Sequence, residues 1–223
     1  MNRERLALLI SLLTLFSVMT VVLIWSHVFT AQEFFRAGTR PTANQPKVVE
    51  PELPPIRGID PVRGSADPEA VTIVEFADFN CEYCRLTYQE FKKAFALTST
   101  PVRFVWRVFP VDLRNQATML TATAANCANQ QRKFWQVYDR LFTMTNPTTD
   151  SIAKLAQDAG LNMPVFNQCM DSKDQQTFLQ NEVDLATHYR ITGAPTIFIG
   201  KKVFTGFISA EEIRTAINNE YKK

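Results

Sequence analysis

Apolar and polar positions divide the chain into an apolar first segment, a proline-rich stretch and a longer part with strand and helix patterns. Residues 6–25 contain neither a charged residue nor a proline. A helix of that length spans about 30 Å, the thickness of the hydrocarbon core of a bilayer. We therefore expect a cytoplasmic N-terminus and a transmembrane anchor within residues 1–30. The proline-rich residues 31–60 are expected to form an extended linker to a folded domain at residues 61–223.

A cleaved signal peptide is the rival interpretation of the apolar segment. The apolar region of a signal peptide is usually about 7 to 15 residues long and needs small residues before the cleavage site. The candidate sites at Ala31 and Ala37 instead have Phe29 and Phe35 two residues upstream. We therefore expect an uncleaved anchor. The arginines that precede the segment predict that the folded domain lies on the far side of the membrane, outside the reducing cytosol.

The first part of the folded domain has a strand, helix, strand pattern. Residues 71–76 are almost wholly apolar and rich in β-branched side chains, as expected of a strand buried on both faces. Apolar side chains then recur at helical spacing through residues 84–95. Residues 102–109 predict a second strand. The short connections favour a right-handed crossover, with the two strands parallel.

The last part of the chain predicts a β-hairpin and a final helix. Residues 196–199 and 203–207 flank a short Gly-Lys-Lys turn, and the run S-A-E-E at 209–212 can form a capping box. Residues 112–190, between the second strand and the hairpin, are more numerous than a crossover helix requires and carry helical patterns. Within them, apolar positions at 120–141 predict one long helix. The fold class is therefore α/β with an inserted helical subdomain.

Two cysteines separated by two residues, Cys81 and Cys84, follow directly after the first buried strand. A structural zinc site would need a second close pair of cysteines or histidine ligands. The remaining cysteines, Cys127 and Cys169, lie more than forty residues from this pair and from each other, and the chain has only two histidines. A permanent disulfide within the pair would close a four-residue loop and stabilise the fold little. A redox-active dithiol is the interpretation that we favour.

The start of a helix gives the two sulfurs different environments. A sulfur at the cap position meets unpaired amide groups and the positive end of the helix dipole, which favour the thiolate. Cys81 is expected at that position. Cys84 lies one turn further on the apolar face of the same helix and is therefore expected to be covered. The pattern predicts an exposed attacking sulfur and a shielded resolving one.

The run V-T-I-V-E-F-A-D-F-N-C-E-Y-C at residues 71–84 resembles the active-site segment of membrane-anchored DsbA-like thiol–disulfide oxidoreductases of the thioredoxin superfamily. The similarity covers roughly residues 60–221. It includes R-F-V-W-R-V-F-P at 103–110, C-A-N-Q at 127–130 and T-G-A-P-T at 192–196. The resemblance implies a thioredoxin-like fold with a helical insertion and an enzyme that exchanges disulfides with other proteins.

The resemblance also implies roles for individual residues. Cys81 would be the nucleophile and Cys84 the resolving thiol. Pro195 would be a cis-proline that faces the dithiol, leaving the adjacent backbone free to bind an extended substrate. Ala194 stands before it where relatives often carry threonine or valine, so substrate preference is expected to differ. Pro195 and Ala194 are therefore the predicted substrate-binding residues.

Glu75 matches the buried acid of the family, which exchanges the proton of the second thiol. Its own chemistry agrees, because a carboxyl forced into an apolar strand has a raised pKa and can exchange protons near neutrality. The alternative is that Glu75 reaches solvent at the edge of the sheet.

The dipeptide between the cysteines departs from the proline and histidine of strong oxidases. Glu82 places a negative charge beside the expected thiolate of Cys81 and opposes its formation, partly offset by Arg85. We therefore predict a weaker oxidant.

The other two cysteines, Cys127 and Cys169, both lie on apolar faces of predicted helices. They are either small buried hydrophobic residues or partners in a disulfide. Outside the cytosol a structural disulfide is expected, and a loop of about forty residues would stabilise the fold by roughly 4 kcal/mol.

The formal net charge of +2 gives no basis for expecting a nucleic-acid partner. No metal or organic cofactor is expected. The resemblance implies a single-pass protein of the cell membrane whose extracytoplasmic domain, on the periplasmic or cell-wall side, introduces disulfides into secreted or membrane proteins. A quinone-linked membrane partner would reoxidise it. A reductase or isomerase that uses the same dithiol, and a non-catalytic binding module, remain alternatives.

Overall fold

The structure is a computed structural model, and it describes residues 17–20, 22–23 and 52–222. Most of the expected transmembrane segment at 6–25 and of the expected linker at 31–60 lies outside the described residues. Within the described ranges, no helix combines the length and the apolar character needed to cross a bilayer. The chain divides into two compact units, Met1–Val49 and Glu50–Lys223, of which the second is described below.

A five-stranded sheet lies at the centre of this unit, in the order β1-β3-β2-β4-β5. Its strands are β1 (Val62–Gly64), β2 (Val71–Ala77), β3 (Val102–Val108), β4 (Thr196–Ile199) and β5 (Lys202–Thr205). The central strand β2 is parallel to β3 and antiparallel to β4, and the two outer pairs are antiparallel. Because β2 has a strand on either side and layers above and below, nearly all of its side chains are buried.

Seven helices surround the sheet in the described part of the unit. They are α1 (Glu82–Leu97), α2 (Gln116–Gln130), α3 (Phe134–Thr143), α4 (Thr149–Asp158), α5 (Met163–Met170), α6 (Asp174–His188) and α7 (Ala210–Tyr221). Helix α1 connects β2 to β3, and helices α2 to α6 form an insertion between β3 and β4. The α/β architecture with a helical insertion that the sequence predicted is confirmed.

Two sequence predictions differ from the structure. The long helix expected across 120–141 is wrong, because the chain leaves helical geometry between α2 and α3, where Arg132 has a φ of 58°. That left-handed conformation ends α2 and changes the direction of the chain before α3. The two helices can therefore pack against different parts of the structure. The edge strand β1 was missed, because three residues are too few to show a period of two.

The buried side chains form a cluster on each face of the sheet. The larger one contains apolar side chains of α1, α7 and the insertion, packed against Ile73 of β2 and Phe104 of β3. The smaller one packs Phe76 and Phe198 of the sheet against Ala186 of α6 and Ile191 beyond it. Helix α6 therefore covers the opposite face from α1, so the sheet lies between two helical layers.

An aromatic cluster joins the insertion to the sheet and to α1. The rings of Phe79 and Trp106 stack at 4.6 Å between centroids, and Phe142 of α3 lies 4.7 Å from Phe79. Phe142 also stacks on Tyr88 of α1, with centroids 4.9 Å apart. Aromatic pairs of this kind each add about 0.5 to 1.5 kcal/mol beyond the area they bury. The cluster therefore fixes α3 against the start of α1.

A buried ionic network holds the chain that precedes β1. Asp60 and Arg107 form an ion pair at 2.6 Å, with each side chain 1% exposed, and Arg57 pairs with Asp60 at 2.7 Å and with Glu182 of α6 at 2.8 Å. Loss of one partner would leave an uncompensated buried charge, which costs about 3 to 5 kcal/mol. Residues 57–60, which the sequence assigned to the linker, are therefore part of the folded unit.

A disulfide between Cys127 of α2 and Cys169 of α5 cross-links the insertion. The two cysteines are 42 positions apart in the sequence and their Cα atoms are 5.8 Å apart. The amide of Gln175, at the start of α6, donates a hydrogen bond to the Cys169 sulfur at 3.3 Å. The disulfide therefore ties the first helix of the insertion to its fourth.

Removal of this cross-link is expected to destabilise the protein. In the chain-entropy model a loop of this length contributes about 4 kcal/mol to the free energy of unfolding. We expect the Cys127→Ala/Cys169→Ala double variant to unfold at a lower urea concentration, with Cys81→Ser/Cys84→Ser present in both proteins so that neither requires a reductant. Equal transition midpoints would contradict this expectation.

Candidate active site

Helix α1 begins at the cysteine pair, and Cys81 is its N-cap residue. The backbone of Cys81 is extended, so its sulfur turns back over the first turn and accepts a hydrogen bond from the Cys84 amide at 3.1 Å. The buried strand β2 and a short turn bring the chain to this position. The sulfur therefore lies where the unpaired amides and the dipole of α1 favour negative charge.

The two sulfurs differ in exposure and in acidity. Cys81 is half-buried, whereas Cys84 is 0% exposed and belongs to the larger core cluster. A hydrogen bond from the Cys84 side chain, helped by the backbone amides of Cys84 and Tyr83, lowers the pKa of Cys81. Burial raises the pKa of Cys84, and the adjacent Cys81 raises it further. The pair thus has one accessible, acidic thiol and one covered thiol that stays protonated.

The loop before β4 faces the accessible sulfur. The Ala194–Pro195 peptide bond is cis, and the thiol of Cys81 donates to the Ala194 carbonyl at 3.4 Å. Gly206 donates from its amide to the Pro195 carbonyl at 2.8 Å, and Thr196 donates from its hydroxyl to the Gly193 carbonyl at 2.7 Å. These bonds hold the loop beside Cys81. The structure therefore brings both predicted substrate-binding residues close to Cys81, the predicted nucleophile.

Glu75 lies inside the central strand and does not reach solvent. Its side chain is 0% exposed, and its neighbours across the sheet are Trp106 of β3 and Ile197 of β4. Neither carboxyl oxygen has a hydrogen-bond partner among the described residues. Burial raises the pKa of Glu75 to about 8, the charge of Arg63 opposes this rise, and Cys81 adds to it. The carboxyl can therefore take or release a proton near neutral pH.

The insertion supplies a polar neighbour for this acid. Tyr138 of α3 is fully buried, and its hydroxyl, which also has no hydrogen-bond partner among the described residues, lies close enough to the Glu75 carboxyl to lower the pKa of the acid. The guanidinium of Arg63, on the edge strand, lies 5.0 Å from the centre of the Tyr138 ring and 4.4 Å from that of Trp135. Sequence reasoning missed both residues, since an aromatic in a helical stripe and a lone arginine carry no local signal of such a contact.

A second buried carboxyl was also missed. Asp78 lies three residues before Cys81, and its charge raises the pKa of that thiol. Glu82, to which the sequence assigned this effect, is exposed at the start of α1, where water screens its charge. Burial raises the pKa of Asp78, and the charge of Arg85, which donates to the Asn80 carbonyl at 3.1 Å, opposes this rise.

The described residues contain no group of three or more histidine, cysteine, aspartate or glutamate side chains placed to hold a metal ion. The chemistry that the arrangement supports without further groups is thiol–disulfide exchange, because it combines an acidic thiol, a covered thiol and a proton-exchanging acid.

Comparison with known proteins decides the family. A family model described as thioredoxin matches residues 58–219, which is most of the chain. The chain belongs to this thioredoxin family. The matched region begins in the ionic network before β1 and ends within α7, so it contains the whole site.

Curated relatives of this thioredoxin-family chain are of two kinds. Disulfide bond formation protein D of Bacillus subtilis is 26% identical over 184 residues, covering 76% of this chain and 80% of that protein. The Na(+)/H(+) antiporter NhaA 3 of Salinispora tropica is 26% identical over 163 residues, which are 73% of this chain and 25% of the antiporter. The chain thus spans about a quarter of the length of the antiporters that it matches.

Solved structures agree with the family in fold. Oxidised BdbD of Bacillus subtilis superposes with a TM-score of 0.64 at 24% identity, covering 74% of this chain and 94% of that one. A thioredoxin-like oxidoreductase from Silicibacter pomeroyi gives 0.63 at 24% identity, covering 75% and 95%. The catalytic domain of Proteus mirabilis ScsC gives 0.61 at 19% identity, covering 75% and 92%. The thioredoxin-like fold predicted from the sequence is confirmed, and the family and dithiol together support the predicted enzyme class, a thiol–disulfide oxidoreductase.

The two thiols are expected to react with iodoacetamide at very different rates. In the reduced protein at neutral pH, Cys81 should be alkylated roughly tenfold faster than Cys84 or more, because only Cys81 is both acidic and accessible. Peptide mapping by mass spectrometry at a series of times gives both rates. In the Cys84→Ala control, loss of the side-chain hydrogen bond should raise the pKa of Cys81 and slow its alkylation at neutral pH. Equal rates for the two thiols in the unsubstituted protein would contradict the assignment.

Replacement of Glu75 by glutamine is expected to change the pH dependence of stability. A carboxyl whose pKa rises from 4.5 to about 8 on folding stabilises the folded state below pH 4.5, and this contribution is lost as the pH rises to about 8. The neutral Glu75→Gln variant should therefore be close to the parent protein at pH 5 and more stable by a few kcal/mol above pH 8.

Urea unfolding of the reduced proteins at the two pH values measures this difference. Glu69→Gln, at an exposed position in the turn before β2, serves as the control and should leave the pH dependence unchanged. A constant stability difference between the Glu75→Gln variant and the parent across this pH range would show that Glu75 does not titrate as described.

Proposed function

We propose that the protein is a thiol–disulfide oxidoreductase that introduces disulfides into cysteine-containing secreted or membrane proteins through the Cys81–Cys84 pair. The observation that carries this proposal is the asymmetric dithiol. One sulfur is accessible, hydrogen-bonded at the start of α1 and adjacent to Ala194, and the other is covered. The likeness to a protein named for disulfide bond formation supports the direction of the reaction.

The reaction begins with the enzyme in its disulfide form. A substrate thiolate attacks the Cys81 sulfur, the Cys81–Cys84 bond breaks, and Cys84 leaves with the electron pair. Cys84 then takes up a proton, because its burial makes the thiolate costly. Glu75 can supply this proton, since its pKa is about 8 and its charge acts on Cys84.

A second substrate thiolate completes the exchange. It attacks the substrate sulfur of the mixed disulfide, and Cys81 leaves as a thiolate. The substrate thereby loses two electrons and the enzyme gains them. Cys81 is the better leaving group of the pair, because its pKa is lowered while that of Cys84 is raised.

The substrate chain binds beside the Ala194–Pro195 peptide bond in this proposal. The Ala194 carbonyl lies 3.4 Å from the Cys81 sulfur, so a peptide joined to that sulfur passes along this loop. The backbone of an extended peptide can form hydrogen bonds with main-chain groups of this loop whatever side chains the peptide carries, as in other cases of strand addition. Such binding suits an enzyme that acts on many different proteins.

The proposal places this reaction outside the cytosol. The apolar residues 6–25 support a single-pass membrane anchor, and the Cys127–Cys169 disulfide is typical of oxidising compartments. After each turnover the reduced pair must pass two electrons to another protein. Following the sequence resemblance, we propose a quinone-linked membrane partner as that acceptor.

A reductase or isomerase is the second candidate, and Asp78 is the observation in its favour. The charge of Asp78 opposes the Cys81 thiolate, and a less stable thiolate makes the reduced pair a better reductant. Equilibration of the purified protein with glutathione buffers gives the reduction potential that separates an oxidase from a reductase. For the oxidase we expect a value between roughly −120 and −200 mV, whereas a value near roughly −270 mV would favour the reductase.

Activity assays should support the same function as the reduction potential of the Cys81–Cys84 pair. The oxidised protein is expected to form disulfides in a reduced, unfolded substrate in stoichiometric amounts, and Cys81→Ser should abolish the reaction because no sulfur remains to form the mixed disulfide. The Cys127→Ala/Cys169→Ala variant is the matched control, since it removes two cysteines outside the site. An unchanged rate for Cys81→Ser would contradict the assignment of Cys81, and a rate at background for the unsubstituted protein would favour a non-catalytic binding module.

A further inference from the structure

Asp78 follows directly after the central strand β2, where the turn that leads to Cys81 begins. Its side chain is almost fully buried, with the residue 2% exposed. One carboxyl oxygen accepts a hydrogen bond from the Asn80 amide at 2.8 Å, and the Asp78 carbonyl accepts one from the Cys81 amide at 3.2 Å. Side chain and backbone of Asp78 therefore both shape the turn before the nucleophile.

The other carboxyl oxygen of Asp78 reaches two further segments. It accepts from the Val111 amide, in the loop after β3, at 3.1 Å and from the Thr118 hydroxyl, in the first turn of α2, at 3.1 Å. A second bond follows the same route, because the Asn80 amide group donates to the Thr121 hydroxyl of α2 at 2.8 Å. The turn before Cys81 is thus attached directly to the first helix of the insertion.

Burial raises the pKa of Asp78, whereas the three donors around its carboxyl oppose this rise, because a carboxylate can only accept hydrogen bonds. Arg85, on the first turn of α1, faces Asp78 with a positive charge, while Val111 and Thr118 contribute neutral donors. Two titratable thiols also adjoin Asp78: Cys81, whose pKa Asp78 raises, and Cys84, whose pKa the backbone amide of Asp78 lowers against the larger effect of burial. In a site of low dielectric constant, a fixed negative charge acts strongly on a second one.

We propose that Asp78 is a positioning residue that anchors the Cys81 turn to the insertion and, through its charge, makes the Cys81–Cys84 disulfide a weaker oxidant. An uncharged residue with the same hydrogen bonds would leave the thiolate of Cys81 more stable and the oxidised pair more reactive. The insertion holds this turn in place through Thr118 and Thr121, while the charge that acts on Cys81 belongs to Asp78.

Asp78→Asn tests the charge while keeping the shape of the side chain. We expect the pKa of Cys81, taken from the pH dependence of its alkylation in the full-length reduced protein, to fall by about one unit. The equilibrium with glutathione should shift about tenfold toward the reduced protein. Asp78→Ser, which keeps a short acceptor for the Asn80 amide, is the second variant and should shift both quantities in the same direction.

Thr118→Val is the matched control for a purely structural role. It removes one hydrogen bond to Asp78 and retains the charge, so it should lower stability to urea without lowering the pKa of Cys81. The proposal is overturned if Cys81 keeps its pKa in a folded Asp78→Asn protein, or if Thr118→Val lowers that pKa as much. Failure of both Asp78 variants to fold would also overturn it, in favour of a structural role alone.

The inference rests on the proposed redox function of the dithiol, but the two can fail separately. Thiol ionisation is measured without any substrate or redox partner. A protein that forms no disulfides in substrates, yet shows a lower Cys81 pKa in Asp78→Asn, would refute the oxidase and uphold the role of Asp78. An active oxidase whose Cys81 pKa is unaffected by Asp78→Asn would give the reverse result.

Discussion

The hydrogen bond from the Cys84 amide to the Cys81 sulfur at 3.1 Å is the contact on which the chemistry of the site depends. It exists because α1 starts at Cys81, so the amides of the first turn have no backbone acceptor and turn to the sulfur. The same start places Cys84 one turn later on the buried face. A single helix boundary therefore makes one thiol acidic and the other inaccessible.

Two buried carboxyls surround this dithiol and differ in their hydrogen bonds. Glu75 lies among apolar side chains with neither oxygen paired among the described residues, so its neutral form is favoured and it can hold a proton near neutral pH. Burial raises the pKa of Asp78 as well, but three accepted hydrogen bonds and the charge of Arg85 oppose this rise and favour its charged form. The difference in donors gives one acid a role in proton exchange and the other a role as a fixed charge.

The helical insertion is part of the site as well as a cover for the sheet. Its first helix bonds to the turn before Cys81 through Thr118 and Thr121, and its second helix brings Tyr138 to Glu75. The Cys127–Cys169 disulfide and the aromatic cluster around Phe142 hold these helices in position. Stability of the insertion and reactivity of the dithiol are therefore linked through named contacts.

The sequence by itself determined β2, α1, β3 and the hairpin, as well as the reactive pair at the start of α1. Each of these depends on local periodicity or on the geometry of one helix end. The three-residue strand β1, the break at Arg132 and the environments of Asp78 and Tyr138 were decided by the tertiary structure. Asp78 meets Thr118 from 40 positions away. Periodicity in the sequence predicts which face of a helix or strand is buried. Only tertiary packing determines which distant side chains contact that face.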